Sequence, residues 1–191
     1  MSTMMSPAPR KHRITVDEYC RMADVGLLAP DARVELIEGE IIDKAPPGIA
    51  HEAVVDFINQ SLSAAVGKRA IVRVQGTVKL DDFSLPQPDF VLLAPRDDFY
   101  GDRRAAPSDV LLVIEVSYSS ARYDRHVKVP LYARRQIPEL WLVDLRKKLV
   151  TFFRSPIDGR YVEEASSPTP SVTPVPGLPG ATVDLTRVLS L

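Results

Sequence analysis

The residue hardest to explain as ordinary packing is Glu115, near the end of the apolar run Val110-Leu111-Leu112-Val113-Ile114-Glu115-Val116. In a strand, side chains two positions apart share a face, so Glu115 lies beside Val113 on a surface that should be apolar. An unpaired carboxylate buried there is costly or becomes protonated, so it needs a basic side chain or a bound cation. The ordinary alternative is a strand end that simply emerges into solvent. The segment Gln87-Pro88-Asp89-Phe90 places Asp89 at the entrance of a second apolar strand, behind a proline that fixes the backbone, where a turn or cap residue is the default. Glu35, between Val34 and Leu36, is a third acidic residue at a strand position.

Three carboxylates on three apolar strands, with no cysteine cluster, suit a hard, oxygen-liking ion such as Mg²⁺ or Mn²⁺. Zinc is disfavoured, because His12, His51 and His126 lack metal-ligand spacing and read as surface or capping residues. Lys128 follows Asp124 by four residues, so on a helix the two face the same way. Spacing alone makes them a surface ion pair worth tenths of a kcal/mol. The chemical alternative is a lysine leaning over the carboxylates to stabilise developing negative charge.

These residues need elements to hold them. Thr15 to Asp24 predicts a helix opened by a capping box, Thr15 with Glu18, and broken by Gly26 and Pro30. Arg33 to Asp43 reads as a hairpin around Glu38-Gly39, which puts Glu35 in a strand. His51 to Val66 has apolar residues at helical spacing, and strands are expected at Ala70 to Val74 and Thr77 to Leu80. Phe90 to Ala94 and Val110 to Val116 are apolar on both faces, as covered strands of a sheet should be, with a polar loop, Pro95 to Asp109, between them. Tyr123 to Arg135 reads as a helix in which Pro130 is either an interior kink or the first residue. Glu139 to Leu145 and Leu149 to Phe153 form a second hairpin. Ser166 to Gly180 is a proline-rich strap, and Ala181 to Leu191 resumes an apolar pattern with a short strand and a helical turn. The expected fold class is α/β (α+β), a largely antiparallel mixed sheet with helices on its faces.

Composition bounds what such a chain does. For 191 residues, roughly 70% of the unfolded surface can be buried, enough for a core without staples. Lys and Arg number 24 against 25 Asp and Glu, a net charge of -1. That balance excludes a polybasic protein holding nucleic acid by bulk charge and leaves room for a local basic cleft. Arg96, Arg103 and Arg104 in the polar loop, with Arg122 and Arg125 near the carboxylates, are the candidates for one. Cys20 has no partner for an intrachain disulfide, which points to a reducing, cytoplasmic setting. The longest aliphatic run, Val110 to Ile114, is far too short for a membrane span. Residues 1–13 are expected to be a flexible leader rather than a secretory signal, ahead of one domain over 14–191.

Longer patterns carry a resemblance. Arg33-Val34-Glu35-Leu36-Ile37-Glu38-Gly39-Glu40-Ile41, then His51, Gln87-Pro88-Asp89 and Ile114-Glu115-Val116-Ser117, run on into Tyr123-Asp124-Arg125-His126-Val127-Lys128-Val129-Pro130-Leu131-Tyr132-Ala133 and Ile137-Pro138-Glu139-Leu140-Trp141-Leu142-Val143-Asp144. Over about Thr15 to Phe153 this resembles the Uma-type putative restriction endonuclease family of the PD-(D/E)XK nuclease superfamily. The resemblance implies a restriction-endonuclease-like core in which Glu35, Asp89 and Glu115 form the acidic Mg²⁺ (or Mn²⁺) site. The superfamily's lysine is expected two residues after Glu115, where this chain has Ser117, so the resemblance passes that role to Lys128. His126 stands where a small residue is expected. Tyr123 and Tyr132 are placed to support the site or to pack. The implied activity is metal-dependent hydrolysis of DNA by a homodimer, since one site cuts one strand. Two alternatives stay open: a nuclease fold without turnover that serves as a DNA-binding or assembly module, and a hydrolase of RNA or small phosphodiesters.

Overall fold

A computed structural model describes residues 10–191. The expected leader therefore lies mostly outside the described residues. Its last part, Arg10 to Arg13, has no regular structure, and Arg13 sits over the Phe83 ring and donates to the Glu38 carbonyl.

The centre is a six-stranded mixed sheet in the order β3-β4-β5-β6-β7-β8. Its strands are β3 (Ile71–Val74), β4 (Phe90–Leu93), β5 (Val110–Ser117), β6 (Glu139–Asp144), β7 (Leu149–Ile157) and β8 (Arg160–Ser167). Every neighbouring pair is antiparallel except β5 and β6, which run parallel with Glu115 opposite Leu142. A parallel pair needs a crossover. Here it is a helical run: α3 (Ala121–Tyr123), a π-helical turn (Asp124–Lys128) and α4 (Val129–Arg134).

Side-chain alternation divides the central strands between two cores. Phe90, Leu92, Leu112, Ile114 and Val116 face α2 (Ile49–Val66), packing on Val54, Ile58 and Leu62. Val91, Leu93 and Val113 face the opposite way, toward Leu131 and Tyr132 of α4. Glu115 and Ser117 share the register of Val113 and so belong to the α4 face. A hairpin, β1 (Val34–Ile37) with β2 (Glu40–Asp43), pairs outside the main sheet. It turns at Glu38-Gly39, both with positive φ (51° and 85°), as a tight hairpin requires. Against it packs α1 (Val16–Asp24) through Val16 and Leu36, with Thr15 and Glu18 forming the reciprocal capping box.

Several expectations need correction. Thr77 to Leu80 is extended but joins no ladder; its amides bond to the carbonyls of Pro86, Ala105 and Ser84 instead. The second hairpin is longer than its apolar pattern: β7 runs to Ile157, and β8 is a strand the sequence did not announce, because its largely exposed residues have no core face to pattern. The proline-rich strap begins inside β8 and contains β9 (Val172–Pro174), which pairs with β10 (Thr182–Asp184) and seats Val175, Val183 and Leu185 on the α2 core. Pro130 is the second residue of α4, inside one helical run. Its missing N–H falls where the turn before it is widened, with the Val129 N–H bonded to the Asp124 carbonyl five residues back.

Candidate active site

Four elements bring the sequence-derived residues into one cavity of about 340 Å³, lined by Glu35, Asp89, Glu115 and Lys128. Glu35 comes from β1, Asp89 from the residue before β4, Glu115 from the α4-facing side of β5, and Lys128 from the end of the π-helical turn. All four are buried.

The centre is a cation between two anions. Lys128 Nζ lies 2.7 Å from Glu115 Oε1 and 3.1 Å from Glu35 Oε2, with the lysine side chain only 3% exposed. The surface pairing with Asp124 suggested by spacing does not form. Asp124 instead accepts from Ser117 Oγ at 2.5 Å and Ser120 Oγ at 2.7 Å. The π-helical turn separates the two, leaving Asp124 to the hydroxyls and Lys128 to the carboxylates. Burial works against the Lys128 ammonium, but the charges of Glu115 and Glu35 outweigh it and raise its pKa. Burial dominates at Glu115, whose carboxyl is pushed up to about 7 with Lys128 opposing the rise.

Each carboxylate is also held by a neutral donor or a second partner. Tyr132 O–H donates to Glu115 Oε1 at 2.8 Å, and the Gln87 N–H donates to Glu35 Oε2 at 3.1 Å. Asp89 Oδ2 accepts the Val116 N–H at 2.9 Å across the β4–β5 ladder, while its Oδ1 lies 3.1 Å from His51 Nε2. Burial again opposes the charge on Asp89, yet His51, the Val116 N–H and Lys44 together hold its pKa low. The hydrogen bond to Asp89 raises the pKa of His51 against the effect of burial.

His51 and Lys44 line the cavity and were not singled out as site residues by spacing. The only sequence signal for His51 was its place in the family pattern, ahead of the amphipathic helix. Tyr123 lines the same cavity, with its buried hydroxyl unpartnered among the described residues. The polar-loop arginines are engaged elsewhere: Arg96 with Asp98 and Asp102, Arg103 with Asp109, and Arg104 with Thr77 and Cys20.

The donor set has the chemistry of a hard-cation site: three carboxylates on one cavity and no thiolate. The hydrogen bonds to Glu35 fall on Oε2 and those to Glu115 on Oε1, which keeps the second oxygen of each for another ligand. Among the described residues, however, no three His, Cys, Asp or Glu side chains converge as a ready-made metal cluster. The Lys128 ammonium fills the gap between Glu35 and Glu115. The residues fit Mg²⁺ or Mn²⁺ by type, in an arrangement closed on an internal cation.

A mixed sheet with a parallel central pair, and acidic residues gathered with a lysine where its strands end, defines the nuclease-like α/β class. The chain belongs to the Uma2 family, described as putative restriction endonuclease, whose model matches residues 16–186. Its fold is similar to a crystal structure of a putative nuclease belonging to DUF820 from Anabaena variabilis, with a TM-score of 0.69 at 19% identity, covering 93% of this chain and 98% of that one. No curated protein matches the chain.

Proposed function

We propose that the protein is a metal-dependent endonuclease that hydrolyses DNA phosphodiester bonds, with Glu35, Asp89, Glu115 and Lys128 as its catalytic residues. The observation that carries this reading is the lysine buried between Glu35 and Glu115. Folding alone does not require it, because apolar residues of similar volume stabilise a core as well as or better than a buried ion pair. A chain that keeps such a costly charge cluster open to a cavity has a chemical use for it.

Glu35, Asp89 and Glu115 would hold Mg²⁺ or Mn²⁺. When bound, the ion would polarise a phosphate oxygen and lower the pKa of water. Lys128 presents a fixed positive charge to the negative charge that develops on the reacting phosphate. Tyr132 orients Glu115, while His51 and the Val116 N–H orient Asp89. The Tyr123 hydroxyl offers the substrate a hydrogen-bond donor. A homodimer would supply a second site for the second strand of a duplex. The lone Cys20 supports a reducing, cytoplasmic setting.

The second reading, a nuclease fold without turnover, draws on the closed arrangement of carboxylates around the lysine and on Ser117 in the place of the superfamily lysine. Purified protein with Mg²⁺ or Mn²⁺ is expected to cut duplex DNA. Glu115→Gln and Lys128→Ala are expected to abolish cutting while the far-UV circular dichroism stays that of a folded chain. No cleavage with either metal, together with no heat of metal binding at millimolar concentration, would establish the second reading instead.

A further inference from the structure

A second and larger cavity, about 610 Å³, opens beside the acidic one at the ends of β5 and β6. The two share a wall, Tyr118 and Ser119, directly after β5. Their charges are opposite. The second cavity is lined by Arg122, Arg125, Arg146 and Lys147, with His126 beside them and Asp144 as its acidic residue. Arg125 is drawn to Glu164, and Lys147 lies 3.9 Å from Asp144. Arg122 and Arg146 make no ion pair within 4.0 Å among the described residues, and both are exposed.

Unpaired guanidiniums facing a concave surface suit phosphate, which they bind bidentately. A polyanion also meets a difficulty at the first cavity, where Glu35, Asp43, Asp89, Glu115 and Asp124 outnumber Arg33, Lys44 and Lys128. Cations are needed next to that site rather than within it. The chain supplies them from two segments distant in sequence: the helical run of α3 and the π-helical turn, with Arg122 and Arg125, and the β6–β7 turn, with Arg146 and Lys147. Tyr118, 58% exposed on the shared wall, offers an aromatic face where a base can stack.

We infer that the basic cavity is a phosphate-backbone subsite, holding the nucleic-acid phosphates that flank the bond placed in the acidic cavity, with the strand crossing at Tyr118. This rests on the phosphodiester reading of the acidic cavity. It adds the direction in which the strand runs and the residues that grip it.

The test measures binding apart from cleavage. A fluorescent DNA duplex is titrated with the full chain in EDTA, by anisotropy, over a series of NaCl concentrations. The double variant Arg122→Ala/Arg146→Ala is expected to bind roughly 10-fold or more weakly at about 0.1 M salt, and its log–log salt slope should fall by about 2. A control, Lys68→Ala/Arg187→Ala, removes two exposed cations near the α2 face and should match wild type. Equal losses in both double variants, an unchanged slope in the first, or no DNA binding by wild type would each overturn the subsite. Failure of the catalytic reading looks different: wild type binds DNA with the cavity-dependent slope but cuts nothing with Mg²⁺ or Mn²⁺. Cutting by wild type with the same KM in Arg122→Ala/Arg146→Ala would remove the subsite and leave the catalytic reading standing.

Discussion

Replacing Lys128 with methionine keeps most of the side-chain volume and removes the charge that faces Glu115 at 2.7 Å and Glu35 at 3.1 Å. At an effective dielectric of about 20, unit charges about 4 Å apart attract by about 4 kcal/mol, and burying the ammonium consumes much of that gain. The intact cluster is therefore worth little in net stability. Breaking it is another matter, because two buried carboxylates are left without their cation, at a cost of about 3–5 kcal/mol. For a chain of this size each kcal/mol moves Tm by about 2–4 °C, so Lys128→Met should melt about 6–20 °C below wild type at pH 8 in EDTA.

The loss should depend on pH with a definite sign. Burial pushes Glu115 up to about 7 in the folded protein, against 4.5 for the free side chain. The folded state thus binds that proton more tightly than the unfolded chain. The stability linked to it is fully present below 4.5 and is lost as pH rises toward 7. Without Lys128 the Glu115 pKa rises further, so near pH 5 the variant's carboxylate is neutral and the missing cation matters least. Melting both proteins by near-ultraviolet circular dichroism from pH 5 to pH 8 should show the gap widening with pH. A gap under about 2 °C at pH 8, or one equal at both ends, would show that Lys128 does not neutralise Glu115 and Glu35 in the folded protein.

Two further perturbations probe the same cluster. His51→Ala removes the partner of Asp89 at 3.1 Å, at a cost of about 1–3 kcal/mol in urea unfolding. Because the His51 pKa is raised and that of Asp89 lowered, the pair's contribution is present above 3.8 and below 6.5 and fades as pH rises through the folded value of His51. The difference from wild type should therefore be larger at pH 6 than at pH 9; a pH-independent difference would show that His51 acts only by packing. Tyr132→Phe deletes the hydroxyl that donates to Glu115 at 2.8 Å in a fully buried position. A charge-assisted bond of this kind should cost about 1.5–3 kcal/mol, read as a fall in Tm of about 3–12 °C, and an unchanged Tm would mean that water replaces the hydroxyl.

The parts of the fold legible in the sequence are those where burial imposes a period. Residues 110–116 must be a covered strand, and with a period of two Glu115 has to share the face of Val113; the structure places it there, buried. The hairpin carrying Glu35 was legible from Glu38-Gly39, and α1 from Thr15 and Glu18. Where burial imposes no period, the reading failed. The edge strand β8 is mostly exposed, and Thr77 to Leu80 has the alternation of a strand but spends its amides on loop carbonyls. His51 looked like a helix-capping residue because nothing in its own segment reveals that the Asp89 loop arrives beside it.

The lysine is the instructive case, because local spacing gave the wrong answer and the reason is geometric. On a regular helix Asp124 and Lys128 stack one turn apart and pair in solvent. The backbone here is not regular: the Val129 N–H reaches the Asp124 carbonyl five residues back, which adds one residue to the turn just ahead of Pro130. That turn lets Asp124 meet Ser117 and Ser120 while Lys128 reaches the carboxylates. Ser117 and Glu115 lie on the same face of β5, so a lysine at 117 would put its charge on the side where the π-helical turn already supplies one. Asp124 is the carboxylate that position 117 meets, with Ser117 Oγ 2.5 Å from it. A short hydroxyl at 117 satisfies that carboxylate without adding charge. Ser117 and Lys128 thus divide the buried carboxylates between them: the cation from the helical run meets Glu35 and Glu115, and the strand hydroxyl donates to Asp124.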